Sequence, residues 1–457
     1  MKELEDWGLE PKITCEETAE EEQYKRFSKL RRSLMLILVS VSAILSPLSS
    51  TIYFPSLEVI KEELNTTASL VDATISVFML CLGLFPLIWG GLSDRYGRRN
   101  VYIISQVIYT CGNIGCALST NINALIVLRM IQGIGSSAPI VTGVGTITDL
   151  YPRNERGSAL SIFFLGPLVG PVIGPIIGGF LNQYLGWRSC FWTLAILGGI
   201  LLISSLFLLK ETLPLASFQK PPYKFTLSPF SIKRDGPIFN PLFPLGFLKY
   251  PVVILAVFCI SLVFGSFFAV ESSQSRAMAT IYELNSSQVG LTFVALGIGS
   301  ILGNLVAGRI SDLTYRRAEK KGTPQPEVRL HLLWIGSLII LAGHLLYGWF
   351  LEYKFNLWAT LVGNMIVGIG NTSSLIGLSN YLVDIFPNYA SSIAACYSCV
   401  ELIFTAIVTA INTPLIEAIS FGWAFTFWAA MCFIVCLTLI SLIYKGVYLR
   451  NRFGPNN

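Results

Sequence analysis

Four charged residues lie inside, or at the ends of, long apolar runs, where a charge is costly and usually has a partner or a cavity beside it. Three of them, Asp72, Glu271 and Glu401, carry carboxyl groups that can bind and release a proton. Burial raises the pKa of a carboxyl group towards the working range, whereas a neighbouring arginine lowers it. The fourth, Arg129, does not titrate and acts only through its fixed charge. Reversible protonation in an apolar setting is the chemistry that these residue types support.

The other reactive groups do not form a pattern typical of catalysis or metal binding. The sequence shows no nucleophile–base pair and no phosphate-binding loop. Its ten cysteines are scattered among apolar residues without metal-ligand spacing, and its two histidines, His331 and His344, are too few for a metal cluster. We therefore expect a protein that is not an enzyme, holds no metal or cofactor and binds no nucleic acid.

The elements that must position these charges are membrane-spanning helices. The chain of 457 residues is 53% hydrophobic and 13% charged, whereas an ordinary soluble domain is about 25% charged. Each apolar run of about 18 residues or more can cross a hydrocarbon core of about 30 Å as a helix. We predict an all-α polytopic membrane protein with twelve transmembrane helices, near 34–53, 72–92, 100–119, 124–148, 158–182, 188–209, 251–273, 289–310, 330–350, 357–383, 391–416 and 423–444.

An internal repeat divides these helices into two pseudo-symmetric six-helix bundles. GGLSDRYGRR (90–99) follows the second span, and a similar segment, GRISDLTYRR (308–317), follows the eighth. Two halves related in this way are a common transporter plan, with the substrate site near the midplane between them. The predicted organisation is an N-terminal tail (1–33), the first bundle (34–209), a central loop (210–250), the second bundle (251–445) and a C-terminal tail (446–457).

Charge asymmetry predicts the orientation. With both termini in the cytoplasm, 27 of the 32 lysines and arginines fall on that side, as the positive-inside rule requires. The N-terminal segment lacks the features of a signal peptide, so we expect a cytoplasmic tail. We expect a monomer in the plasma membrane rather than in an internal one. Asn65 and Asn285 begin sequons in outer loops and could carry glycans.

An uncharged stretch of the fifth span, FFLGPLVGPVIGPIIGGFL (163–181), repeats glycine and proline every four residues. Gly166, Gly170, Gly174 and Gly178 therefore share one helix face without side chains, where a neighbouring helix can approach closely. This face could be a static packing contact, or a seam on which the two halves move against each other. The residues alone leave both readings open.

Four motifs, in order and in matching loops, resemble the major facilitator superfamily. Within it they resemble the twelve-spanner drug:proton antiporters, the fungal quinidine-resistance branch above all. The resemblance runs from Leu34 to Tyr444. Its motifs are the loop at 90–99 with its degenerate copy, LIVLRMIQGIGSSA (125–138), the antiporter signature Gly170-x-x-x-Gly174-Pro175-x-x-Gly178-Gly179, and the looser pair SSTIYFPSL (49–57) and KETLP (210–214).

The resemblance implies roles for these motifs. The glycine face becomes a moving seam of an antiporter, and the loop after the second span becomes a latch between the halves, although its arginines taken singly could serve topology alone. The latch residues are Gly90, Asp94, Arg95, Gly97, Arg98 and Arg99, with Asp312 in the second copy. Arg129 becomes part of proton coupling, together with the three acids; reaching back to the lipid headgroups is its alternative role.

The candidate substrate cavity combines charged and polar residues of several spans. Asn364 and Asn371 are seven residues apart and share one face of the tenth span, where they could contact substrate or bond a neighbouring helix. Gln132 and Glu271 complete the set, with Glu271 as the first choice for binding a cation. The prediction is a secondary transporter that exports amphipathic or cationic small molecules, such as drugs or polyamines, in exchange for protons. A proton-coupled or facilitative carrier of an organic metabolite, or a membrane sensor that does not transport, are the alternatives.

Overall fold

The computed structural model describes residues 27–213, 224–225, 238–320, 327, 330, 333–386 and 389–453. In this part of the chain, eleven helices are long and apolar enough to cross a membrane. The longest contains a non-helical residue, Ser420 (φ 70°, ψ 169°), which divides it into two consecutive spans. The described residues thus contain the twelve predicted spans, and the all-α prediction is confirmed.

Most of the spans are longer than the apolar runs that predicted them. Spans 1 to 6 are Lys29–Thr51, Ala68–Tyr96, Arg98–Leu118, Ile122–Leu150, Arg153–Leu185 and Arg188–Leu208. Spans 7 to 10 are Pro251–Thr280, Ser286–Lys320, Leu333–Glu352 and Leu357–Ile385, and spans 11 and 12 are the two parts of Ala390–Phe453. A 3-10 turn (Phe54–Ser56) and a short helix (Leu57–Glu63) follow span 1, and a second 3-10 segment (Phe243–Lys249) precedes span 7. Two strands of two residues each, β1 (Lys224–Phe225) and β2 (Ile238–Phe239), pair in parallel, with Lys224 opposite Ile238.

Prolines do not interrupt the spans that contain them. Span 5 remains one helix although Pro167, Pro171 and Pro175 lie inside it. In a water-soluble helix each interior proline would cost about 3 kcal/mol. Hydrocarbon offers the backbone no alternative hydrogen-bond partners, so a spanning segment stays helical. Span 4 begins at a side-chain cap, where Asn121 Oδ1 accepts a hydrogen bond from the Ala124 N–H at 2.8 Å.

The two halves meet along two helix pairs, span 2 with span 11 and span 5 with span 8. The end of the bundle opposite to the start of span 1 is called the far end below, and it contains the short helix Leu57–Glu63. Along the first pair, contacts run from Asp72, which bonds Thr413, to Gly83, where a Cβ atom would lie 3.1 Å from the Cys399 carbonyl oxygen. Eleven residues of helix cover about 16 Å. Contacts from Asp72 to Gly83 therefore cover about half of a hydrocarbon core of ~30 Å.

Candidate functional site

Arg129 of span 4 is fully buried inside the first half. Its guanidinium group lies between two aromatic rings, 4.1 Å from the centroid of Phe78 and 4.4 Å from that of Tyr53. Its Nη1 atom donates to the Ser49 carbonyl oxygen at 3.1 Å. These contacts hold the charge in the interior, so the structure rules out the alternative in which the side chain reaches back to the headgroups. Cation–π contacts and carbonyl dipoles take the place of a carboxylate.

A chain of polar side chains holds this guanidinium group in position. Nη1 of Arg129 also donates to Gln132 Oε1 at 2.5 Å, and Gln132 Nε2 donates to Asn113 Oδ1 at 2.7 Å. The hydroxyl groups of Tyr109 and Ser49 lie 2.7 Å apart in the same layer. Both ends of the Gln132 amide are thus engaged within the first half. The structure gives Gln132 a supporting role beside Arg129, and its contact with substrate stays a prediction.

The three candidate acids lie in different surroundings. Asp72 is buried at the far end, where one carboxylate oxygen accepts a hydrogen bond from Thr413 and the other lies 3.6 Å from Arg276 Nη2. Glu271 is 2% exposed, and its Oε2 atom has no hydrogen-bond partner among the described residues. Glu401 is half-buried in span 11. Among the ion pairs of the described residues, none joins Arg129 to any of these acids. The predicted proton-coupling residues therefore do not form one cluster in this conformation.

Asn364 and Asn371 lie on a buried face of span 10, as their spacing predicted. Neither polar atom of the Asn364 side chain has a hydrogen-bond partner in the described part of the chain, and Asn371 Oδ1 has none either. Buried polar groups are nearly always satisfied, so these amides call for water or a ligand. Backbone contacts of Gly363 with Tyr347 of span 9, and of Gly368 with Leu296 of span 8, flank this face. A hydrogen bond to a neighbouring helix therefore does not account for the burial of Asn364. This favours contact with substrate over a role in joining helices.

The glycine face of span 5 contacts span 1 of the same half, and this corrects the expectation of a seam between halves. A Cβ atom at Gly170 would lie 2.9 Å from Pro47 Cγ, and one at Gly174 would lie 3.2 Å from the Ile52 nitrogen. One at Gly178 would collide with the Ile52 carbonyl group. Four-residue spacing fixes a helix face but not the neighbour that covers it.

The seam with the second half uses another face of span 5. Gly179 lies against span 8, where a Cβ atom would be 2.6 Å from the Ser286 carbonyl oxygen. The Pro175 carbonyl group lies against Gly290 of span 8 in the same way. Of the predicted antiporter signature, Pro175 and Gly179 therefore lie between the halves, and Gly170, Gly174 and Gly178 do not.

The loop after span 2 is held by bonds within the first half. Arg98 donates to Asp94 at 2.5 Å and, from span 3, to Asp149 of span 4 at 3.2 Å. Glu211, just after span 6, accepts backbone N–H bonds from Arg98 (2.9 Å) and Arg99 (3.2 Å). These contacts tie spans 2, 3, 4 and 6 together at the end opposite the far end. A latch between the halves is therefore still a prediction for this loop.

The remaining residues of that loop support its tight path. Gly97 has a φ of 94°, a conformation that favours glycine, and the Glu211 carboxylate lies directly over it. A Cβ atom at Gly90 would lie 3.2 Å from Val141 of span 4. Arg95 lies over the ring of Tyr96, and Arg99 donates to the Leu206 carbonyl oxygen at 2.9 Å. The side chain of Asp312, in the second copy, lies outside the described residues.

Sequence reasoning missed three contributors to these contacts. Glu211 lies in the KETLP segment, which was taken only as a family resemblance. Arg276 lies beyond the predicted seventh span (251–273), but in the structure it is on span 7 and faces Asp72. Asp149 lies in the last turn of span 4 and pairs with Arg98. The available signal for Asp149 was the similarity between DLYPRNERGSA (149–159) and DIFPNYASSIA (384–394), each of which begins with this acid near the end of a predicted span.

The arrangement of two six-helix halves has counterparts among solved structures. A bacterial homologue of the human lysosomal transporter Spinster, in an inward-facing and unoccupied conformation, aligns over 93% of this chain and 98% of its own, with a TM-score of 0.64 and 16% identity. The xylose transporter XylE of E. coli, in a partially occluded inward-open conformation, gives a TM-score of 0.65 at 14% identity, over 90% and 98% of the two chains. At these identities the comparison shows the fold alone, a multi-pass membrane protein of two six-helix halves, which this chain shares with both transporters.

Sequence comparison supplies the family. The model of the Major Facilitator Superfamily matches residues 39–318. The transporter hepF of Aspergillus oryzae is 31% identical, over 89% of this chain and 86% of its own. Citrate exporter 1 of Aspergillus niger is 31% identical (98% and 90%), and the efflux pump radE of Floropilus chiversii is 30% identical (91% and 80%). This chain belongs to the Major Facilitator Superfamily; it is a secondary transporter, and the expectation that it is not an enzyme is confirmed.

Proposed function

We propose that this transporter exports amphipathic or cationic small molecules in exchange for protons. Glu271 carries the proposal, because it is a carboxylate buried inside the protein, and one of its oxygen atoms has no hydrogen-bond partner among the described residues. An ionised carboxylate in such a place is costly unless something compensates its charge. Either a proton or a cationic ligand can compensate the charge. Exchange of a substrate for a proton requires a site that binds one or the other but not both. We therefore also propose that the protein is one of the drug:proton antiporters of the superfamily.

The relatives support export and leave the substrate class open. One is named an efflux pump and another a citrate exporter, so an exported organic acid is the second candidate. A carrier of a polyanion needs accessible cationic groups near its midplane. Arg129, the one cation within the apolar part of the predicted fourth span, is enclosed by rings and carbonyl oxygens. The buried carboxylate of Glu271 therefore favours a cation or a neutral amphipathic molecule.

The remaining features of the proposal concern topology and access. We place both termini in the cytoplasm and the chain, as a monomer, in the plasma membrane, so that the far end faces outward. Alternating access would open and close the two helix pairs, span 2 with span 11 and span 5 with span 8. The loop at 90–99 would act as the latch in the opposite access state.

Flux through the purified protein in liposomes tests the proposal. The substrates are a fluorescent lipophilic monocation and radiolabelled citrate, each with and without a pH difference of one unit. For one proton exchanged against one monocation the electrical contributions cancel, so one pH unit sustains about a tenfold gradient. We expect cation accumulation near this value, and its loss in Glu271→Gln. The exposed Glu283→Gln is the matched control and should behave like the unmodified protein.

Two results would overturn the proposal. Citrate movement driven by the pH difference, without cation movement, would establish the organic acid instead. Cation accumulation that persists in Glu271→Gln at full extent would show that this carboxylate does not couple the two fluxes.

A further inference from the structure

Arg276 connects the two halves at the far end. It lies on span 7 of the second half, and its guanidinium group is 3.6 Å from Asp72 of span 2 and 3.5 Å from Glu58 of the short helix. Both acids belong to the first half. Its Nη1 atom donates at 2.8 Å to Thr413 of span 11, which in turn bonds Asp72. The Arg276 side chain is 15% exposed and that of Asp72 is 1% exposed, so water screens this pair only weakly.

Three further contacts between the halves accompany this ion pair. One helical turn deeper, the Ser76 and Thr409 hydroxyl groups of spans 2 and 11 lie 2.9 Å apart. On the other helix pair, Asn182 of span 5 donates to Ser286 of span 8 at 2.7 Å. Ser275, adjacent to Arg276, donates to the Phe54 carbonyl oxygen. These three contacts join neutral groups, whereas Arg276 joins opposite charges across the halves.

We propose that Arg276 is the gating residue of the far end: its charge holds Asp72 and Glu58 of the first half against the second half and keeps the substrate path closed on that side. The proposal rests on alternating access as part of the proposed function, but it requires neither proton coupling nor a particular substrate. It also gives Asp72 a second role beside its candidacy for proton coupling. Opening the far end separates Arg276 from both acids, so the pair biases the equilibrium between access states.

Reaction of a buried cysteine with a membrane-impermeant maleimide measures this bias. The reporter is Thr409→Cys, at a fully buried position one turn below the gate, and the protein without it provides the baseline for the native cysteines. The reagent is added to each side in turn, without substrate and without a pH difference. Glu62→Cys, exposed on the short helix, normalises access of the reagent to the far end.

We expect Arg276→Gln to raise the far-side labelling rate about tenfold, a shift of about 1.4 kcal/mol in the access equilibrium. Arg188→Gln is the matched control, because Arg188 forms an ion pair with Glu63 at the same end but within the first half. It should leave the rate within twofold. Asp72→Asn should act in the same direction, and the double variant should fall well short of the product of the two single effects. If Arg276→Gln fails to accumulate in the membrane, Arg276→Lys, which keeps the charge, should raise labelling by a smaller factor.

Unchanged labelling in folded Arg276→Gln, or an equal rise in Arg188→Gln, would overturn the proposal, and so would independent effects of the Arg276 and Asp72 substitutions. Failure of the proposed function has a different signature. If labelling responds as expected but liposome flux does not depend on the pH difference, the gating role of Arg276 is supported and proton-coupled export is contradicted. If flux is proton-coupled but labelling does not respond, only the gating role is contradicted.

Discussion

Two adjacent glycines of span 5 should respond to the same substitution in opposite ways, because they face different neighbours. A Cβ atom at Gly178 would collide with the carbonyl group of Ile52, which directly follows span 1 in the same half. One at Gly179 would lie 2.6 Å from the Ser286 carbonyl oxygen and 3.1 Å from Gly290 Cα, both in the other half. Backbone atoms cannot yield as a flexible side chain can. Forcing a methyl group into such a contact costs about 1–3 kcal/mol.

This free-energy cost should affect a different property of the protein at each of the two sites. In Gly178→Ala the strained helices belong to one bundle, so every folded state bears the strain. At roughly 2–4 °C per kcal/mol for a bundle of about 200 residues, the unfolding midpoint should fall by about 4–8 °C for a cost of ~2 kcal/mol. In Gly179→Ala the halves can relieve the strain by separating at the far end. The same ~2 kcal/mol then appears as an about 30-fold shift in the access equilibrium, with little loss of stability.

Thermal unfolding in detergent and far-side labelling of Thr409→Cys together measure both responses. Gly199→Ala is the control, because a Cβ atom there has no neighbouring atom within 4 Å; alanine should be neutral or mildly stabilising. If Gly178→Ala raises labelling without lowering the midpoint, Gly178 does not lie in a contact confined to the first half. If Gly179→Ala lowers the midpoint as far as Gly178→Ala does while labelling stays at its original rate, Gly179 does not lie at a contact that opens between the halves.

Three further predictions follow from the first half. Arg129→Lys should lower the unfolding midpoint by several degrees, because one ammonium cannot reproduce the planar contacts with two rings and the Ser49 carbonyl; an unchanged midpoint would contradict this. Glu211→Ala should cost about 1 kcal/mol of stability through loss of the cap on span 3, against no loss in the neighbouring Lys210→Ala. Asn65→Gln should increase gel mobility to the same extent as deglycosylation of that site, since Asn65 is exposed at the far end; identical mobility would show that this sequon is not used.

The sequence could predict the spans because hydrocarbon demands long apolar helices, and the twelve runs met that demand. It could not predict where the helices end. The apolar run of span 7 stops near residue 273, but the helix continues through Thr280 because its polar residues find partners on neighbouring elements. Those extra turns bring Arg276 opposite Asp72. A hydropathy window detects only the loss of apolar character after residue 273, and it therefore assigns Arg276 to a loop.

Periodicity predicted which residues share a face, but not what lies opposite. The four-residue glycine spacing correctly indicated a close helix contact, and Gly170 and Gly174 do approach a neighbouring backbone. The identity of the neighbour depends on how all the spans pack, which local spacing does not contain. The same limit applies to Arg98, whose partner Asp149 is more than fifty residues away in sequence. For Arg129, a costly charge in an apolar run indicated a partner or a cavity but left open a side chain that reaches back to the headgroups; only the structure shows that its contacts are buried.

Span 7 carries both the proposed exchange site and the proposed gate, and this has a mechanical consequence. Glu271 and Arg276 are five residues apart on one continuous helix, about 7.5 Å along its axis. A helix segment of this length moves as a rigid unit, so any displacement of Glu271 on exchange of a proton for a cation would also displace Arg276. Coupling between the site and the far end would then need no relay of intermediate side chains. It would require only that span 7 occupy two positions, one with Arg276 beside Asp72 and one without, and that the ligand of Glu271 differ in affinity between them.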